Sequence, residues 1–176
     1  MAIDTYYFDG HTAVSDADSK WTNDANAYDG NTATSATAIE GAGSYPPPTG
    51  KSLQITGTTG VRTSGTITSV RFRFRGFGTS DMGSSKSAVS INKSAEHLGD
   101  IQLESQTGSL VWSSWLTLTA PSGGWVWADI NDNIKAMCYL WTGTGINAGV
   151  AIVELEVTYE ASLTDPSFAR RALLLT

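Results

Sequence analysis

Four oxygen-bearing side chains, Asp24, Asn26, Asp29 and Asn31, crowd one short stretch of this chain and are its best candidates for holding a metal. Ca²⁺ takes several hard oxygens from a single loop, and WTNDANAYDGNTAT supplies them. The spacing does not match the helix–loop–helix calcium pattern. Glycine falls seventh counting from Asp24, where that pattern has it sixth, and the twelfth position is Ser35, which has no carboxylate to give two oxygens. The stretch therefore reads as a structural turn without bound metal, with Asx side chains closing it and Asp29-Gly30 at its tightest point.

The other residue types that do chemistry are dispersed or already matched. Glu154 and Glu156 stand two apart, so on a strand they share a face. If they lie opposite arginines they are neutralised, not raised in pKa as a general acid requires. His11 and His97 are far apart and lack ligand-spaced neighbours, which sets zinc aside. Cys138 is the only cysteine; it sits in the apolar run MCYLW and reads as a buried structural thiol. No Gly-X-Ser-X-Gly elbow or P-loop occurs, and Gly76-Phe77-Gly78 lacks the third glycine of a dinucleotide fingerprint. With no matched acid, base and nucleophile, an enzyme is not expected, and no cofactor is called for. Five of the six tryptophans, Trp112, Trp115, Trp125, Trp127 and Trp141, fall in the second half. An exposed set could stack on sugars, but tryptophans at strand spacing are expected to fill a core or a subunit contact.

The elements that must position these residues are strands. In Thr66 to Gly78, TITSVRFRFRGFG, Val70, Phe72 and Phe74 point one way while Arg71, Arg73 and Arg75 point the other, the two-residue period of a half-buried strand. Gly149 to Glu160, GVAIVELEVTYE, answers it with Ala151, Val153, Leu155, Val157 and Tyr159 on one face and Glu154, Glu156 and Glu160 on the other. Side by side, the two would set three arginines against three glutamates, each opposed pair contributing roughly 0.2–1 kcal/mol. Shorter strands are expected at Asp4 to Phe8, in the Thr/Ala alternation after Asn31, at Ser52 to Thr56, and as a hairpin of Ala88–Ile91 with Leu98–Leu103. Leu110 to Thr119 breaks alternation at Ser113-Ser114, which implies a bulge or bend between two short strands. Asp129 fits the N-cap of a single helical turn before a strand over Ala136 to Trp141. Gly41 to Gly50, with three consecutive prolines, must be loop. Asp165 to Thr176 favours a short amphipathic helix.

Short strands with turn signals every eight to twelve residues add up to an all-β, two-sheet antiparallel sandwich. Its 176 residues suit one domain, and only 16% of them are charged. A net charge of −6 and a pI near 4.7 repel nucleic acid, so the arginine row is structural and not a phosphate stripe. Neither a secretory leader nor a membrane span is expected. The domain reading is an arm or first strand over residues 1–20, the sandwich over 21–160, and a tail over 161–176 that docks on a neighbour. In that tail Phe168, Leu173, Leu174 and Leu175 are the candidate assembly residues.

The order of segments resembles a recurrent β-sandwich of tailed-bacteriophage virion proteins. Trp21-Thr22-Asn23 with Asn26 to Thr34 is similar to its opening, Ile67 to Arg73 to its central strand, Trp125 to Asn131 to its Trp-X-X-X-Asp-Ile-Asn segment, and Val153 to Tyr159 to its closing strand. The likeness spans Trp21 to Glu160 and rests on order, since no single motif is specific. It departs at the Pro46–Pro48 loop, and Thr63-Ser64-Gly65-Thr66 stands where a proline-rich turn is usual. The resemblance implies a jelly-roll-like structural protein of head or tail, present in many copies in a virion, with other copies and other virion proteins as partners. The Asp29-Gly30-Asn31-Thr32 segment is also similar to that of discoidin-like carbohydrate-binding modules, where this loop can hold calcium. That likeness implies the alternative, a module or receptor-binding tip recognising host-surface glycans.

Overall fold

The computed structural model describes residues 1–11, 21–39, 53–78, 86–103, 108–141 and 147–162. The triproline loop, the 79–85 connection, the glycine-rich turn after Trp141 and the tail with Phe168, Leu173, Leu174 and Leu175 lie outside them. Twelve strands are present among the described residues: β1 (Ala2–Tyr7), β2 (Gly10–His11), β3 (Trp21–Thr22), β4 (Ala36–Ile39), β5 (Leu53–Thr56), β6 (Thr66–Gly78), β7 (Lys86–Lys93), β8 (Glu96–Gln102), β9 (Val111–Trp112), β10 (Leu116–Thr117), β11 (Ile134–Trp141) and β12 (Asn147–Glu160). They form a two-sheet antiparallel sandwich. The first sheet has the order β10-β6-β12-β4-β3, with β9 also on β6 and β1 also on β12; the second runs β2-β5-β11-β7-β8. From β4 to β7, and again from β10 to β12, the chain crosses between sheets at each step, in the jelly-roll manner.

β6 and β12 are the spine. They pair antiparallel over nearly their whole length, with Glu154 opposite Arg73 and Glu156 opposite Arg71. Phe72, Phe74, Val153, Leu155 and Val157 are fully buried on the inner face. Leu53, Ile55, Val89, Ile91, Ala136 and Cys138 meet them from the second sheet. The match of three arginines to three glutamates holds only for two. A register shift between Val150 and Ile152 sets Arg75 opposite Ile152, and Glu160 falls opposite Thr66. Arg75 instead donates to the carbonyl of Thr32 at 2.9 Å.

The break in alternation at Ser113-Ser114 is a bend between β9 and β10. Ser113 turns inward there: its N–H donates to Phe74 O at 2.8 Å and its hydroxyl accepts from Phe74 N–H at 3.0 Å. The hairpin β7–β8 turns more tightly than the sequence suggests, at Ser94, whose φ of 53° is left-handed. The turn before β11 is π-like over Asp129–Asn133, and Asp129 begins it instead of capping it. Its carboxylate bends back toward the preceding segment. Cys138 is buried, and burial pushes its thiol pKa up, as expected of a structural cysteine.

Candidate binding cleft

At one end of the sandwich the connection into β6 and the segment before β11 stand apart and enclose an open cleft of about 680 Å³. Val61, Arg62 and Ile67 lie on one side, and Trp125, Val126 and Trp127 on the other. The first wall is shaped by glycine. Gly57, Gly60 and Gly65 have φ of 73°, 70° and 99°, and a Cβ at Gly65 would come within 2.7 Å of Glu160 O. The second wall leaves a turn in which Gly123 and Gly124 are also left-handed and Gly124 N–H donates to Pro121 O at 2.8 Å.

The two walls are tied at the base. The indole N–H of Trp127 donates to Gly65 O at 2.8 Å, and its ring meets Tyr159 edge-on at 5.3 Å. Thr58 donates its hydroxyl to Ile130 O at 2.8 Å and its N–H to Asn131 O at 3.0 Å. Trp127 is buried and forms the floor, Trp125 is half-buried, and Val126 is 51% exposed. Arg62 is the one charged side chain lining the cleft among the described residues, and its guanidinium lies 4.9 Å over the Tyr159 ring and pairs with Asp4. Tyr6 also donates to Asp4, at 3.2 Å, and burial raises the Tyr6 pKa. The result is an apolar aromatic wall sharing the cleft with Arg62, Thr63 and Thr66, a combination that suits a ligand with both a flat apolar face and many hydroxyls.

The outer face of the first sheet holds the other aromatic group. Arg73 pairs with Glu154 at 2.8 Å and lies 4.1 Å from the Trp112 ring and 4.5 Å from the Trp115 ring. Arg71 donates to Glu156 at 2.9 Å and sits 4.8 Å over Trp115. The tryptophans thus part ways. Trp21 and Trp127 are core, Trp112 and Trp115 are half-buried over arginines, Trp125 lines the cleft, and the side chain of Trp141 is outside the described residues.

The Asp24 to Asn31 stretch is built as turns. Asp24 opens a 3-10 turn over Asp24–Ala27, and Asn26 donates to Ser35 O at 3.2 Å. Asp29 accepts from Asn31 N–H at 2.7 Å and from the Thr34 hydroxyl at 3.1 Å, while Asn31 accepts from Ala33 N–H at 2.9 Å. Gly30, at φ 74°, packs under the Tyr7 hydroxyl, so this loop borders the outer face of the first sheet and not the cleft. His97 lies beside Asp100 at 3.2 Å.

No protein-family model matches the chain, and no curated protein matches it. Among solved structures, the CBM36-1 domain of a multidomain xylanase from the hindgut metagenome of Trinervitermes trinervoides superposes with a TM-score of 0.41 at 9% identity, covering 92% of this chain and 100% of that one. The arabinose-bound α-L-arabinofuranosidase MgGH51 superposes with a TM-score of 0.36 at 16% identity, over 84% of this chain and 24% of that one.

The cleft was only half visible in the sequence. Trp125 and Trp127 stood out, but Val61 and Arg62 did not. Their signal was the spacing of glycines, Gly57, Gly60 and Gly65, around them, which marks a shaped loop and says nothing of its partner.

Proposed function

We propose that this chain is a non-catalytic β-sandwich that binds carbohydrate, with the cleft between residues 61–67 and 125–131 as its site. The observation that carries the reading is a cleft lined by Trp125, Trp127 and Arg62, with Asp4 neutralising the Arg62 charge. Sugar rings present an apolar C–H face for stacking and a rim of hydroxyls that a guanidinium and threonine hydroxyls can bond. Because Asp4 balances Arg62 and the chain carries net charge −6, the ligand class is neutral glycans in preference to uronic or sialic acids. Calorimetric titration with neutral and acidic oligosaccharides tests this. Neutral chains should bind, and Trp125→Ala should weaken them at least about tenfold, near 1.4 kcal/mol, without unfolding the sandwich. Failure of every neutral glycan at millimolar concentration, or full affinity in Trp125→Ala, rejects the reading.

The ordered segment pattern supports a second, compatible reading in which the sandwich is a structural component of a bacteriophage virion, present in many copies. An exposed apolar edge accompanies it: Ile3 is 60% and Tyr7 40% exposed on β1, which pairs only with β12 among the described residues. Removing residues 167–176, with Phe168 and Leu173 to Leu175, should leave a folded sandwich that no longer joins particles. Normal incorporation of the truncated chain rejects the tail as the assembly arm.

A further inference from the structure

Asp129 is a carboxylate with no exposed surface, and an ion taken out of water must be compensated by charge and hydrogen bonds. Its two oxygens find different partners. Oδ1 lies 2.9 Å from Lys93 Nζ at the end of β7, the strand that pairs with β11 in the second sheet, and accepts from Asn133 Nδ2 at 3.2 Å. Oδ2 reaches back three residues and accepts the N–H of Val126 at 3.2 Å, while Asp129's own N–H returns to Val126 O at 2.9 Å. Val126 is the residue between the two tryptophans of the cleft wall. Trp127 has its own anchors in Gly65 and Tyr159; the carboxylate clamps the backbone immediately after Trp125.

We infer that Asp129 is a positioning residue for the cleft: fixed to the second sheet by Lys93, it sets where the Trp125 side of the wall stands, without touching the ligand. The inference rests on the cleft as the binding site, but its geometric half stands apart from any ligand. An Asn in its place keeps the shape and one acceptor but leaves Lys93 without its counter-charge, so the clamp on the Val126 amide weakens while the apolar packing of Ile130 is untouched.

The test is an NMR comparison of the full chain with Asp129→Asn, followed by titration with the neutral oligosaccharide that the wild type binds best. The expected result is a folded variant in which the Val126 amide and the Trp125 indole resonances move, Val126 exchanges with solvent at least about tenfold faster, and the glycan dissociation constant rises about tenfold. The Arg73 and Trp112 resonances on the outer face of the first sheet should stay in place. A folded Asp129→Asn with unmoved Val126 and Trp125 resonances, or with moved resonances and wild-type affinity, overturns the inference. If Asp129→Asn does not fold, Asn133→Ala, which removes one donor to the carboxylate from an exposed position, is read the same way: a shifted Val126 amide sustains the inference and an unshifted one ends it. Should the wild type bind no glycan, the cleft reading fails, and the resonances alone still decide whether Asp129 holds the wall.

Discussion

Trp112 and Trp115 on the outer face of the first sheet, and Trp125 and Trp127 at the end of the sandwich, put one residue type to two uses. On the outer face each ring is met by an arginine, and each of those arginines is held by a glutamate on the neighbouring strand, so cation, anion and aromatic satisfy one another within the chain. At the cleft Arg62 lies on Tyr159 and not on Trp125, and Trp125 borders open volume. Aromatic area alone therefore does not mark a binding site. What marks it is whether the polar groups around the ring are arranged to complete each other or to leave a concave space between them.

Both regions stand on one core, and the largest expected effects come from breaking that. Phe72, fully buried on β6 beneath the arginine row, should cost about 3–5 kcal/mol when truncated to Ala, read by chemical denaturation. A loss under about 1 kcal/mol would show that the inner face of β6 is not the packed layer described. Cys138 reports on the same core from the other sheet. Its thiol is buried and its pKa is pushed up, so the folded state keeps its proton where an unfolded thiol, near pH 8.5, has begun to lose it. This contribution to stability is present below that range and is lost as pH rises above it. Alkylation at pH 8 should be slowed by roughly a thousandfold or more relative to the unfolded chain. Rapid labelling of the native protein would contradict the burial.

The outer face sharpens the comparison at a smaller scale. Arg73→Ala removes one ion pair and two ring contacts and should cost about 1–2 kcal/mol, less in high salt, with glycan affinity unchanged. Arg73→Ala that abolished glycan binding while the fold survived would move the binding site from the cleft to the sheet face.

Much of this was legible because it is local. The two-residue alternation of β6 and β12 specifies which side chains enter the core, and opposite charges at matching positions pick the register of Arg71 and Arg73 with Glu156 and Glu154. The shift that takes Arg75 out of that ladder is not legible, since a bulge such as that at Val150 and Ile152 depends on how two strands twist together. Nor is the cleft, because Arg62, Trp127 and Tyr159 meet only once three separate segments have folded. Asp129 illustrates the limit well. An aspartate ahead of a turn reads as an N-cap from its neighbours, whereas its actual partner, Lys93, comes from a strand that no local pattern connects to it. The divergent uses of the tryptophans have the same cause: strand spacing says a ring lies on a face, not what the next strand lays over it.

The smallest expected effect lies in the loop that borders the outer face. Asp29 closes two turn contacts, to the Asn31 N–H and the Thr34 hydroxyl, so Asp29→Ala should cost about 1 kcal/mol, in the range of a lost Asx cap. Calcium should not change the melting temperature of either form, since Asp29 and Asn31 already use side-chain oxygens to accept from the Asn31 and Ala33 amides and the Thr34 hydroxyl. This result separates the two regions more finely than its size suggests. Gly30 packs under Tyr7 and Thr32 O receives Arg75, so an ion bound there would stiffen the margin of the outer face and leave the cleft as it is. A calcium-dependent rise in melting temperature that Asp29→Ala abolishes would therefore do more than add a metal: it would make the Tyr7, Arg73 and Trp112 face the region with a built rim. The glycan titrations would then have to be repeated with calcium present and with Tyr7→Ala in place of Trp125→Ala.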